Sequence, residues 1–419
     1  MTIALVAGTL IDGNGGNAVS DTTIIIESDT ITKIGRTAQT PVPPQAQIIN
    51  VARKTVMPGL IDGHIHIVGE FAPDPMDPLT RLPSYAPLRG AAAALKLLDA
   101  GFTSCRAMND ANYAGIALKH AIDHGLVPGP RMLAVGYNLK VVGNVREWVP
   151  PDMYRHLLTP GNITGPWEAR KAVRMNLLNG ADFIELQIAG AVGSNSPTPL
   201  ERTEWTQEEL DAAADEAHRR GVMICADCYV DESVEMCAKA GFDGIEHGCL
   251  ITERGLEILV KHNMYICPTL CAYYAYLGPE GEKSYPLWRV LKGRRMRDAI
   301  SEMWPKYAGM GVMVVGGSDG SGPGRGRRPG EGALELQLMV DYGMTPMQAI
   351  VAHTKNGAYA MRMQDRLGTL EVGKLADLIV VDGDPLADIK ILQDRKKIQL
   401  VMKKGEVFRS DLPEDLRST

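Results

Sequence analysis

The stretch Pro58-Gly-Leu-Ile-Asp-Gly-His64-Ile-His66 is apolar at its start and ends on two histidines one residue apart. In an extended strand residues two apart share a face, so His64 and His66 project side by side from the strand's end. Two imidazoles so placed make a ready pair of metal ligands. A bare His-x-His is as readily two ordinary histidines at a strand end. The rhythm of the chain downstream decides the fold. Short apolar runs recur at 59–67, 103–107, 131–135, 183–188, 222–229, 244–247, 264–269 and 312–316, with helical stretches between several of them at 90–100, 167–179, 206–220 and 233–240. Thr206 with Glu209 three residues on is a capping box that opens one of these helices. Eight strands alternating with helices predict an α/β protein with a closed parallel (β/α)8 TIM-like barrel. An open doubly wound sheet is disfavoured because no strand leads into a dinucleotide-type glycine turn. Barrel enzymes assemble their sites at strand C-termini, which favours the ligand reading of His64 and His66.

Outward from this core both ends of the chain change character. Residues 3–7, 22–28 and 31–35 are β-rich runs around the turn Asp12-Gly-Asn-Gly-Gly16, and the last fifty residues return to strand and turn, with 398–403 and 407–408 flanking Lys404-Gly405 as a hairpin. Residues 1–57 and 366–419 are therefore expected to pair into one composite β-sandwich, and 58–365 to form the catalytic barrel. The 419 residues, 45% hydrophobic and 22% charged, exclude a disordered chain, and a net charge of −6 argues against nucleic-acid or anionic-membrane partners. No apolar run reaches the ~18 residues of a membrane span. The start of the sequence lacks a basic segment followed by a long apolar one, and seven cysteines show no disulfide framework. A cytoplasmic enzyme acting on a small molecule, without nucleic acid or membrane and assembled as a homo-oligomer, is the expectation.

Other motifs read blandly. Cys225-Ala-Asp-Cys228 sits on a strand, where positions three apart face opposite sides, so its sulfurs diverge. The same parity turns Cys225, Asp227 and Tyr229 toward the barrel interior, with Gln187 sharing the face of Glu185. Glu185 and Asp227 lie in apolar strand contexts where an unpaired carboxylate is costly. The Gly-rich segment 316–324, followed by Arg325, Arg327 and Arg328, lacks the end of a phosphate loop and reads as a connection whose arginines could meet an anionic substrate group. Residues 143–148 form a loop expected to shape specificity. His120, His124, His156, His218, His262 and His353 read as structural or surface residues.

These motifs together resemble the amidohydrolase superfamily. The resemblance is carried by 56–66, by Gly241-Phe-Asp-Gly-Ile-Glu-His-Gly248, and by the tail segments 343–350 and 367–386. It covers nearly the whole chain and is strongest toward the imidazolonepropionase-related branch with its prolidase-type dipeptidases and its amide, lactam, carbamate and urea hydrolases. The resemblance implies a metal-bearing (β/α)8 barrel with a β-sandwich made of both chain ends. Carried over position by position, it implies metal ligands at His64, His66, His247 and Asp319. Two positions depart. Gly180-Ala-Asp-Phe-Ile-Glu185 ends in glutamate where relatives carry a carboxylated lysine, and Asp227 stands where they place a histidine. Both are competent oxygen ligands, so six residues, His64, His66, Glu185, Asp227, His247 and Asp319, are expected to hold two divalent ions. Three carboxylates leave less residual positive charge than the usual set, which favours manganese or iron beside zinc. The alternative is one ion on His64, His66 and Asp319, with Asp227 and His247 moving protons. The reaction implied is hydrolysis of an amide-type C–N bond by metal-activated hydroxide, with Asp319 as the catalytic proton-transfer group and Tyr229 and Gln187 on the substrate. A lyase, decarboxylase or isomerase on the same site, or a metal-free binding protein, are the rival readings.

Overall fold

The computed structural model describes residues 2–69, 80–143, 156, 158–190, 199–320 and 326–418. Residues 144–148 of the expected specificity loop, and Arg325, lie outside these. Strands β1 (Thr2–Leu10), β2 (Val19–Glu27), β3 (Thr30–Arg36) and β4 (Gln47–Pro58) lead directly into β5 (Leu60–Ile65). The chain then alternates: β6 (Phe102–Ala107), β7 (Arg131–Ala134), the short pair β8 (Lys140–Val141) and β9 (Asn162–Ile163), then β10 (Ile184–Gln187), β11 (Ile224–Cys228), β12 (Gly244–His247), β13 (Tyr265–Cys267) and β14 (Met313–Val314). Most strand-to-strand connections in this part carry helices, as the sequence pattern predicts. The expected capping box is present: Thr206 accepts from the Glu209 amide, and the Glu209 carboxylate accepts from the Thr206 amide at 2.9 Å.

β5, β6 and β7 pair in parallel, as do β10 through β14. Two seams join these ladders into a ring of eight. At one, the Leu139 amide donates to the Glu185 carbonyl at 3.0 Å and the Gln187 amide to the Leu139 carbonyl at 2.8 Å. At the other, the Gly63 amide donates to the Gly316 carbonyl at 2.8 Å, the Asp319 amide to the His64 carbonyl at 2.8 Å, and the His66 amide to the Gly320 carbonyl at 3.0 Å. The second seam sets the first histidine pair against the segment that follows the eighth strand. The barrel interior holds a buried charge: Arg106, fully buried, lies 4.4 Å over the Phe183 ring and donates to the Tyr265 hydroxyl at 2.8 Å.

Strands from both chain ends pair with one another. β15 (Leu378–Val381), β16 (Ile398–Lys403), β17 (Glu406–Ser410) and β18 (Arg417–Ser418) join β1 to β4 in one eight-stranded sheet. Alternate residues of it, including Ile3, Leu5, Ile24, Ile49, Val380 and Leu400, share one buried core, so the sheet closes over its own inner face. Ile379, Val381, Ile398 and Val401 belong instead to the core of the barrel, which seats the module on it.

Candidate metal centre

His64 and His66 stand at the end of β5 and Asp319 just past β14, brought together by the seam between them. Their ligand atoms all lie within 4.8 Å of one another, and all three residues are buried. Asp319 Oδ1 is 3.0 Å from His66 Nε2 and 3.5 Å from His64 Nε2. His64 Nδ1 faces Glu246 Oε2 at 3.0 Å. A proton on Nδ1 satisfies that carboxylate and leaves the Nε2 lone pair aimed at the cluster, where it has no hydrogen-bond partner among the described residues. The donor set of two imidazole nitrogens and one carboxylate oxygen, with an orphaned buried nitrogen at its centre, fits a divalent ion.

The electrostatics agree. Burial disfavours the imidazolium of His64, but the Asp319 and Glu246 carboxylates outweigh it and raise its pKa well above the usual value. The chamber thus attracts positive charge to that nitrogen. Burial lowers the pKa of His66. Burial also opposes the charge on Asp319, yet Arg327, His64 and His66 hold its carboxyl well below the ordinary range. Glu246 is held at about 2 against burial, by Arg106 and His64.

The remaining expected ligands surround this cluster. Within the described residues no further group of three such atoms gathers as closely. His247 lies beside His64, with ring centroids 5.2 Å apart. Strand alternation turns Glu246 inward and would turn His247 outward, but His247 has φ of +70°, which swings its side chain back into the chamber. Its Nδ1 is 2.7 Å from Thr269 Oγ1 and its Nε2 3.5 Å from Asp227 Oδ1, which has no hydrogen-bond partner among the described residues. The Glu185 carboxylate accepts from the Asn109 amide at 3.2 Å, and burial together with the nearby charge of Asp227 pushes it up to about 8. Tyr229, buried, stacks on His247 with centroids 5.3 Å apart. Gln187 pairs with Asp227 in register and is buried. A cavity of about 460 Å³ opens at His66, lined also by Arg89, Asn109, Tyr137, Asn138 and Lys140; Tyr229 and Gln187 are not in its wall.

Three residues of the site have roles that the sequence does not disclose. Glu246 was visible in principle, since it is two residues from Gly244 on the same face of β12. Arg106 carried no usable signal, and the signal at Arg327 pointed to substrate and not to Asp319. Arg327, read from the sequence as part of a loop after the eighth strand whose arginines could meet an anionic substrate group, is 1% exposed and donates to Asp319 Oδ2 at 2.9 Å. The diverging sulfurs are as expected: Cys225 meets Arg106 inside the barrel, Cys228 faces Cys237 on the helix outside at 3.5 Å, and all seven cysteines are free. His353 is structural, its Nδ1 3.1 Å from the Ile61 carbonyl.

Known proteins resemble this chain in sequence and fold. The ochratoxinase of Aspergillus niger is 28% identical over 424 aligned positions, covering 96% of this chain and 86% of its own. A crystal structure of a Xaa-Pro dipeptidase with bound methionine superposes with a TM-score of 0.88 at 28% identity, covering 98% of this chain and all of its own. Molinate hydrolase superposes at 0.81 with 27% identity, covering 97% and 94%. The sequence pattern of the amidohydrolase family matches residues 55–408. With that match spanning the barrel and the strands β15 and β16 of the terminal sheet, the chain belongs to the amidohydrolase family and is a hydrolase of C–N bonds.

Proposed function

We propose that the protein hydrolyses an amide-type C–N bond of a small molecule at a metal centre founded on His64, His66 and Asp319. The observation that carries this reading is the convergence of these three side chains around the open Nε2 of His64. Glu185, Asp227 and His247 form a second, carboxylate-rich position beside it, able to hold a second ion of zinc, manganese or iron. A divalent ion supplies Lewis-acid polarisation of the scissile carbonyl and acidifies water at neutral pH. The protein's own part is to hold and move protons. Glu246 fixes the tautomer of His64. Asp319 Oδ1 accepts the proton of the attacking water and passes it to the leaving nitrogen. Asp227 and His247 shape the opposite wall, with His247 held by Thr269 and Tyr229.

The cavity at His66 has the volume of a small-molecule site. Similarity to an ochratoxinase, a Xaa-Pro dipeptidase and a molinate hydrolase supports a carbonyl substrate with nitrogen as leaving group. Residues 58–365 are the catalytic unit, and 1–57 with 366–419 the supporting module. The free cysteines suit a reducing cytoplasm. No helix among the described residues is long and apolar enough to cross a membrane.

The test combines metal analysis with substrate turnover. Wild-type protein is expected to take up one or two equivalents of divalent metal and to insert one oxygen of labelled water into product. Asp319→Asn is expected to retain metal partly and lose turnover. Retained turnover removes Asp319 from the chemistry, and unlabelled product would replace hydrolysis with a lyase reaction.

A further inference from the structure

Asp319 is held by a grip of unusual completeness. Arg327 Nε donates to the Asp319 backbone carbonyl at 2.9 Å, Nη2 donates to the Asp319 Oδ2 at 2.9 Å, and Nη1 donates to the Tyr276 hydroxyl at 3.1 Å. One rigid, planar guanidinium therefore fastens both the main chain and the side chain of the same residue, which a lysine cannot do. The residue so fastened is strained, with φ of +50°. The carboxylate is left with one oxygen, Oδ1, and that oxygen is the one facing His64 and His66.

The backbone that leads into Arg327 is closely confined. Gly326 has φ of +85°, and a Cβ there would stand 2.7 Å from Leu334 and 2.9 Å from the Cys271 sulfur, so the backbone runs where only glycine fits. Tyr276, which takes the third bond, is itself locked edge-on against Tyr285 with centroids 4.9 Å apart. An arginine buried only to neutralise an aspartate would need none of this two-point geometry.

We propose that Arg327 is a positioning residue of the metal centre, which restricts Asp319 to a single oxygen and sets its direction. This rests on a metal centre at His64, His66 and Asp319. Without the grip the carboxylate turns and presents either oxygen or both, and the coordination of a bound ion changes.

The experiment uses the full-length protein, stripped with chelator and titrated with Co²⁺ alone, following the visible absorption of the bound ion. Wild type, Arg327→Lys and Arg327→Ala are compared, the last with and without added guanidinium, and each is checked by thermal unfolding. Arg327→Lys keeps the charge and is expected to fold, to bind Co²⁺ ~10–100-fold more weakly, and to show shifted absorption bands. Guanidinium is expected to return the Arg327→Ala spectrum toward that of wild type. A folded Arg327→Lys protein with wild-type affinity and spectrum overturns the proposal, as does a folded Arg327→Ala protein whose altered spectrum guanidinium leaves unmoved. Loss of folding in both variants overturns it too, because the arginine is then a strut. Failure of the wild-type protein to bind Co²⁺ removes the metal-centre reading, and this proposal with it.

Discussion

Two buried arginine–aspartate pairs stand at opposite ends of the barrel, and they are used differently. At the start of β7, Arg131 pairs with Asp377 of the terminal module and also donates to Ser104 Oγ at 3.1 Å. Asp377 is saturated: both its oxygens meet Arg131, Oδ1 also accepts from the Lys404 amide at 2.8 Å, and its carbonyl accepts from the Gly59 amide at 3.0 Å. At the other end, Arg327 satisfies one oxygen of Asp319 and leaves the other pointing at two imidazoles. A buried polar group with all its valences filled by protein holds the fold together. His64 Nε2 and Asp227 Oδ1 lack a hydrogen-bond partner among the described residues, and at this cluster a bound ion can complete them.

The saturated pair should therefore matter for stability and not for chemistry. Asp377→Ala leaves Arg131 buried and uncompensated and is expected to cost about 3–5 kcal/mol in denaturant unfolding. The fraction still folded should keep wild-type kcat. Replacing both partners, Arg131→Met with Asp377→Leu, should recover most of the loss. A double variant no more stable than Asp377→Ala breaks the comparison.

The open cluster should behave in the reverse way. His66→Ala is expected to lower turnover ~10²–10³-fold, by weakening a Lewis-acid contribution worth several kcal/mol. Its unfolding midpoint in metal-free buffer should change far less than that of Asp377→Ala, since Asp319 keeps its pair with Arg327 when His66 is removed. A large loss of metal-free stability would move His66 into the structural class.

Glu246 lies between the classes, and its effect should be smaller. It is bound on one side by Arg106 and Tyr265 and on the other by His64. Glu246→Gln keeps the shape but weakens the hold on the His64 tautomer, and should reduce metal affinity ~10–100-fold, read by titration calorimetry. Unchanged affinity would show that β5 alone orients His64.

The same distinction explains what the sequence could and could not disclose. His64 and His66 are legible because strand parity is local, and the barrel is legible because its hydrophobic runs have the right period. The seam that carries Asp319 to them is a pairing of residues some 250 positions apart, so the site's closure was reachable only through a family resemblance. His247 and Asp319 escape parity altogether, since each sits at positive φ at a strand's end and no periodic pattern encodes that. Arg327 follows a glycine-rich stretch of sequence whose composition says nothing of which residue the arginine meets.

The smallest expected effect sharpens the comparison in the helix layer, where a local motif hides a longer-range one. The Thr206–Glu209 capping box is readable from four residues of sequence. The structure adds that the other Glu209 oxygen accepts from the Gly165 amide at 2.8 Å, at the N-terminus of the neighbouring helix Pro166–Leu178. Glu209 is thus a saturated carboxylate that serves two helix starts, and Thr206 serves one. Thr206→Ala is expected to cost about 1 kcal/mol, the ordinary loss of an N-cap. Glu209→Ala removes the reciprocal cap and also leaves the Gly165 amide without its side-chain acceptor, so its cost should be about 1 kcal/mol greater. Both should leave turnover alone. Equal costs would mean that water replaces Glu209 at Gly165 without penalty, and the contact would then report proximity in place of a bond that the fold depends on.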